Sequence, residues 1–283
     1  MKEIISLPPG AEGRAWLIGK GLQRISSHHH DELELNLVVS GKAHYLFEHR
    51  RIAITAGSMM WIFPRQEHVL FDWSHDFSMW VLVFKPKMVR RLTVPSHRRI
   101  LRSPDPGDIF SRQIDFRRLD VLHEIYRDAM IPDEDVDLAR TALDYALVRS
   151  WQTYQFSRES LPSTDVHPAV AKAARLLSLT DDPMRLDELA AKSGLSPARL
   201  SRLFKQQVGI NLTAFRQQEC LKRFVGLYRT GTRYSLIEAA LLAGFGSYPQ
   251  FHRVFQAMMG ISPASYRKSL RAGASAHSSR DAL

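Results

Sequence analysis

The chain has 283 residues, with 39 Lys and Arg against 29 Asp and Glu for a formal net charge of +10, so it is long enough for two domains with their own cores. Met1 to Gly10 holds Lys2 and Glu3 and no apolar stretch of secretory length, and runs such as Trp80–Phe84 stop at a strand's length; a soluble, cytoplasmic protein without membrane partners is expected. The single cysteine, Cys220, excludes an intramolecular disulfide framework and fits a reducing compartment.

Residues 15–85 read as short strands separated by turns. Leu33, Leu35, Leu37 and Val39 alternate up to Ser40-Gly41; Ala43–Phe47 and Arg51–Ile54 follow, then Met59–Phe63 ending at Pro64, and Phe77–Phe84. Strands at such regular intervals suggest a sandwich or barrel. Pro86 to Pro106 is a basic, Pro-punctuated connection. Two helices are predicted next, over about 109–129 and 133–156, with apolar faces from Leu119, Leu122 and Tyr126 and from Leu138, Leu143, Leu147 and Trp151. Such faces either pair two copies of the chain or pack under the barrel. Two prolines and several Ser/Thr mark Ser157–Pro168 as a linker. The division predicted is a barrel over 1–100, a helical connector over 101–157, a linker over 158–167, an all-α domain over 168–271 and a disordered tail over 272–283.

The all-α segment is written twice. Phe204, Gly209 and Arg216 recur 51 residues later as Phe255, Gly260 and Arg267, while Gly194 recurs after 50 as Gly244. In the first copy Leu186, Leu189 and Ala190 keep helical spacing up to Gly194, which can take the left-handed turn that ends a helix. Ser196-Pro197 restarts a helix, Ser as N-cap and Pro in the first turn. Its apolar stripe is Leu200, Leu203 and Phe204, which leaves Ala198, Arg199, Ser201, Arg202 and Lys205 outward. In the second copy Gly246-Ser247 opens a helix with stripe Phe251, Val254 and Phe255, exposing Tyr248, Gln250, His252 and Arg253. One such unit is an ordinary αα-hairpin. Two of them, joined by a helix over about 212–228 that is roughly 25 Å long, form a two-pronged device suited to double-stranded DNA.

The charge sits in the same half. From Asp165 onward there are 17 Lys and Arg against 8 Asp and Glu, an excess of nine, whereas the first 164 residues balance to one. A basic excess confined to one domain is the footprint of phosphate binding.

The duplicated unit resembles the DNA-binding domain of AraC/XylS-type bacterial transcription regulators. The resemblance rests on Leu189-Ala190 … Gly194-Leu195-Ser196 … Leu200-Ser201-Arg202-Leu203-Phe204-Lys205 and on Ala240 … Gly244-Phe245 … Phe251-His252-Arg253-Val254-Phe255 … Gly260-Ile261-Ser262-Pro263 … Tyr266-Arg267. Gln256 stands where that family usually has Lys, and Glu219–Phe224 follows its connecting helix only loosely. By resemblance, the base-reading positions are Ala198, Ser201 and Arg202, then Tyr248, Gln250, His252 and Arg253. Arg202 and Arg253 are the strongest candidates, because Arg can bond guanine O6 and N7 together. Arg199, Lys205 and Arg216 look like phosphate contacts.

The strand order of the first half resembles the cupin-type barrel that many members of this family carry as a sensor. His28-x-His30-x3-Glu34-x6-Gly41, with His68 four residues after Pro64, has the spacing of the cupin metal motifs, though the second lacks its Gly and its distal Asn. Three imidazoles and a carboxylate would suit zinc, iron, manganese or nickel. The alternative is a metal-free effector pocket using His28, His30, Glu34 and His68, with aromatics such as Tyr45 and Trp61 as walls. The resemblance thus implies an α+β chain of two domains: a cupin-like barrel followed by helices, and an all-α domain with two helix-turn-helix units. Its implied function is a sequence-specific regulator, not an enzyme. It would be a homodimer whose barrel senses a small-molecule effector and whose partners include promoter DNA and RNA polymerase. A metal-dependent cupin enzyme fused to a helical domain is the rival reading, and a nucleoid-type DNA packager the third.

Overall fold

The computed structural model describes residues 5, 7, 10–19, 30–47, 49–93, 96–130, 136–179, 184–228 and 233–278. The chain divides into two compact units. One comprises Met1–Gly19, His28–His68 and Asp76–Asp165; the other comprises Lys20–Ser27, Val69–His75 and Val166–Leu283.

The first unit is built on two sheets. One has the order β1 (Gly13–Ile18), β7 (Ser78–Phe84), β2 (Leu33–Ser40), β5 (Ser58–Ile62), β8 (Phe110–Gln113). The other has β3 (Lys42–Phe47), β4 (Arg50–Thr55) and β9 (Ser163–Asp165); β6 (His68–Phe71) starts in this unit with His68 and continues in the second. On β2 the odd residues Leu33, Leu35 and Leu37 join Trp61, Phe63, Trp80, Leu82 and Phe84 in one core. That core is closed by Leu119, Leu122 and Tyr126 of α2 (Phe116–Asp128) and Leu143, Leu147 and Trp151 of α3 (Val136–Phe156). Both helices therefore cover the barrel of their own chain with the predicted faces, except for Leu138, which is exposed. Strand side chains alternate in direction, so the even residues Glu34 and Asn36 point the other way, toward Tyr45 on β3.

Four boundaries differ from the sequence-based division. Residues 110–113, predicted as the start of a helix, form β8, paired with β5 from Ser58↔Gln113 to Trp61↔Phe110, and α2 starts only at Phe116, capped by Asp115, whose side chain accepts from the Arg118 N–H. The barrel thus reaches past residue 100. Residues 163–165 of the expected linker pair with β4. Pro86–Pro106 contains α1 (Pro86–Leu92) and a 3-10 helix (Ser96–Arg102). At the C-terminus the last helix continues to Ser278, where a disordered tail was expected, and 279–283 lie outside the described residues.

The second unit holds seven helices among its described residues: α4 (Pro168–Leu179), α5 (Leu186–Ser193), α6 (Pro197–Val208), α7 (Leu212–Leu227), α8 (Leu236–Leu242), α9 (Tyr248–Met259) and α10 (Pro263–Ser278). The repeat is repeated in hydrogen bonds. Gly194 and Gly244 both take positive φ, at 76° and 94°. After each, the next amide reaches back five residues, Leu195 N–H to Ala190 O at 3.0 Å and Phe245 N–H to Ala240 O at 3.1 Å. Such a bond satisfies carbonyls that a helix end leaves open. Ser196 and Ser247 then cap α6 and α9, each with a proline in the first turn. The apolar stripes predicted for both helices are the ones buried, Leu200 and Phe204 in α6 and Phe251 and Phe255 in α9. Around the second repeat, Phe224 of α7 lies against Phe251 and Phe255.

Among the described residues, no helix is long and apolar enough to cross a membrane. Cys220 is free and buried.

Candidate nucleic-acid interface and effector site

In the second unit the expected readers fall on the outer faces of α6 and α9. Ala198, Arg199, Arg202, Lys205 and Arg253 are exposed, and Ser201, Tyr248 and His252 half-buried. No carboxylate pairs with Arg199, Arg202, Lys205 or Arg253 among the described residues, so their charges face solvent. Gln250 is partly engaged: its carboxamide oxygen accepts from the Gly246 N–H at 3.0 Å, which leaves its NH2 to donate elsewhere. Arg216 departs from the picture of a surface phosphate contact. It is half-buried, and Nη1 donates to the Met184 carbonyl at 3.3 Å.

In the first unit, β2, the turn before it and the start of β6 converge on a buried polar cluster. His30, Glu34 and His68 are all buried, and one donor atom from each lies within 4.8 Å of the other two. Each imidazole is fixed through Nδ1, which donates to a backbone carbonyl: Glu32 O at 2.9 Å for His30 and Gln66 O at 3.0 Å for His68. The Nε2 atoms turn to the Glu34 carboxylate, at 2.8 Å for His30 and 4.0 Å for His68. With Nδ1 already a donor, the short contact of His30 Nε2 places one proton between the ring and the Glu34 carboxylate. Burial pushes the His30 pKa down, but the hydrogen bond and charge of Glu34, with Glu32 assisting, leave it above the ordinary 6.5.

The Asn36 NH2 donates to Glu34 Oε1 at 2.7 Å and to the Tyr45 hydroxyl at 2.9 Å. Tyr45 is fully enclosed, and burial plus the Glu34 charge raise its pKa well above 10, so it stays a neutral hydroxyl. The Asn36 amide oxygen has no partner among the described residues. A buried acceptor without a donor costs free energy and marks a place where a bound group could donate.

His30, Glu34, Tyr45 and His68 are thus brought together as expected. His28 lies outside the described residues. His30 lies in the turn before β2, which begins at Leu33, and reaches the Glu34 carboxylate from there. One expectation needs correction. Trp61 is not a wall of this cluster, because its ring packs against Phe84 and, edge-on, against Trp151. Asn36 went unnoticed in the sequence, although its even parity with Glu34 in a strand of apolar residues is the signal that finds it.

A two-sheet domain with a buried polar cluster, followed in the chain by a double helix-turn-helix unit, is the order of a ligand-binding domain and a nucleic-acid-binding one. Residues 20–92 match the family model of the AraC-like ligand binding domain, and residues 189–269 match that of a helix-turn-helix domain. The chain belongs to the AraC/XylS-type regulator family.

It is 33% identical over 94 residues to the HTH-type transcriptional regulator MtrA of Neisseria gonorrhoeae, covering 33% of this chain and 31% of that protein. It is 33% identical over 100 residues to the arabinose operon regulatory protein of Escherichia coli, covering 35% and 34%. The matched stretch therefore spans about a third of each of these relatives' length. Among solved structures, fatty-acid-bound ToxT from Vibrio cholerae overlays 90% of this chain and 94% of its own at 18% identity and a TM-score of 0.42. An AraC-type regulator from Chromobacterium violaceum overlays 36% of this chain and 92% of its own at 27% identity and a TM-score of 0.33.

Proposed function

We propose that this protein is a sequence-specific transcription regulator that lays α6 and α9 in successive major grooves and takes a small-molecule effector in its barrel. The observation that carries the reading is the pair of helices with the same turn, cap and buried stripe, whose opposite faces bear Arg202 and Arg253 with no carboxylate partner among the described residues. Base readout needs side chains of this kind, free to meet base edges. Buried Leu143 and Leu147 close α3 onto the barrel, while Leu138 and Tyr145 remain exposed; this remaining face supports a homodimer. A contact with RNA polymerase would follow once two sites are bound at a promoter.

The effector reading rests on the buried cluster and the orphaned Asn36 oxygen, which together offer a carboxylate, two imidazoles, a hydroxyl and an amide. A second reading of the same cluster is a divalent metal. Both Nδ1 atoms are anchored to carbonyls, as they are in metal-ligating histidines, and a donor set of two nitrogens and a carboxylate oxygen fits zinc, iron, manganese or nickel. His30, Glu34 and His68 would hold the ion. One equivalent of Zn2+ bound by chelator-treated protein, and lost in Glu34→Gln and His68→Ala, would establish it; absence of stoichiometric binding leaves the metal-free pocket. Turnover would favour the rival cupin enzyme, for which the cluster offers no acid/base pair beyond these same ligands.

The test of the main reading is selection of genomic fragments by the full-length protein at about 0.15 M salt, where phosphate binding alone is weakened. A few enriched loci with half-sites about one helical turn apart are expected. Uniform recovery of all fragments would favour a DNA packager, and recovery of none would overturn the regulator.

A further inference from the structure

The second unit contains a cleft of about 740 Å3 that DNA binding does not explain. One side is formed by Leu186 at the start of α5 and by Leu241 and Leu242 at the end of α8. These leucines are 44%, 51% and 54% exposed and lie together on one wall of the cleft. The floor is apolar as well, from Leu189, Phe245 and the Cys220 thiol. The single charged side chain lining the cleft is Arg216, and no carboxylate lines it. Its guanidinium is steadied by the Met184 carbonyl, and its charge is felt at Cys220, where it opposes the rise in pKa caused by burial.

A phosphate backbone would use the arginine but not the leucines, and an apolar peptide would use the leucines but not the arginine. Both are used by a small amphiphile. The volume is within the usual range for small-molecule sites, about 300–1,000 Å3, and so is the combination of apolar walls with a few polar groups, here Arg216 and uncharged side chains such as Asn211, Thr213 and Gln217. We propose that this cleft binds an anionic amphiphile, an acyl or aryl chain ending in a carboxylate or sulfonate. The apolar part lies on Leu186, Leu241 and Leu242, and the acid group meets Arg216. Ser201 and Gln250, two of the expected base readers, line the same cleft, so the occupant competes with DNA. The binding claim stands on the cleft alone; the competition rests on the proposed DNA-binding function.

The probe is 8-anilinonaphthalene-1-sulfonate, titrated calorimetrically into the full-length protein. Saturable one-to-one binding is expected, weakened at least about tenfold in Leu241→Gln/Leu242→Gln and in Arg216→Gln. The two leucines are surface positions, and unchanged circular dichroism checks the fold of the variant. Equal affinity in wild type and both variants, or unsaturable binding, overturns the cleft. A duplex of about 20 base pairs should displace the probe at low salt. If DNA binds without displacing it, the competition falls. If the probe binds and is lost in the variants while no DNA binds at all, the cleft stands and the regulator reading fails.

Discussion

His30 Nε2 lies 2.8 Å from Glu34 Oε2 inside the barrel, while the ring's other nitrogen is held 2.9 Å from the Glu32 carbonyl. A carbonyl on one side of the imidazole and a carboxylate on the other favour its protonated form, and the pair is enclosed by protein. Buried pairs of this kind couple the fold to pH.

That coupling has a definite sign. The His30 pKa is raised above 6.5 in the folded protein. Its contribution is therefore fully present below the unfolded value and is lost as pH rises through the folded one. In chelator-treated protein the melting temperature of the barrel should fall across that window, beyond the drift of the Glu34→Gln variant. A pH profile identical in wild type and Glu34→Gln would show that the pair does not bind its proton on folding.

A second buried pair lies in the connecting helix. Lys222 Nζ donates to Glu219 Oε1 at 2.5 Å, three residues away on α7, and the two residues are 2% and 1% exposed. Burial lowers the Lys222 pKa, and Glu219 opposes that shift. Glu219→Ala leaves an ammonium group without its counter-charge and should cost about 3–5 kcal/mol in urea unfolding, whereas Glu219→Leu/Lys222→Met should lie near wild type. Equal losses in both variants would mean that helix packing, rather than charge, sets the cost.

Glycine positions separate backbone strain from steric overlap. At Gly194, with φ 76°, a Cβ would meet nothing within 4 Å, so Gly194→Ala carries only the left-handed backbone cost of about 1–2 kcal/mol. Gly57 also has positive φ, at 83°, and a Cβ there would lie 2.8 Å from the Ile114 carbonyl oxygen. Gly57→Ala should therefore destabilise more than Gly194→Ala in thermal unfolding. The reverse order would show that the β5–β8 region gives way easily.

The helical half was the more legible because its signals are local. Gly194, Gly209, Gly244 and Gly260 mark the helix ends, and Ser196-Pro197 marks a start; each works within one turn of chain. The predicted connecting helix of about 212–228 is observed as Leu212–Leu227. Strands β8 and β9 were not legible, since Phe-Ser-Arg-Gln and Ser-Thr-Asp carry no strand pattern and are extended only through pairing with β5 and β4. Distant contacts overrode weak propensity there. The polar cluster was half legible: the spacing of His30, Glu34 and His68 could be read, but the side that Trp61 faces depends on how α3 packs, which the spacing does not contain.

Base reading gives the sharpest separation among the exposed cations. Arg202 and Arg253 lie on the outward faces of α6 and α9 with no carboxylate beside them among the described residues. Once a bound sequence is known, Arg202→Ala should lose about 1–3 kcal/mol of discrimination at one base position of one half-site, and Arg253→Ala the same at one position of the other. Lys205→Ala should instead weaken all sequences alike and lower the salt slope by about one. Competition binding against single-base variants of the site reads all three. If Arg202→Ala weakens every variant equally, Arg202 holds phosphate, and α6 is set in its groove by Ser201 and Ala198.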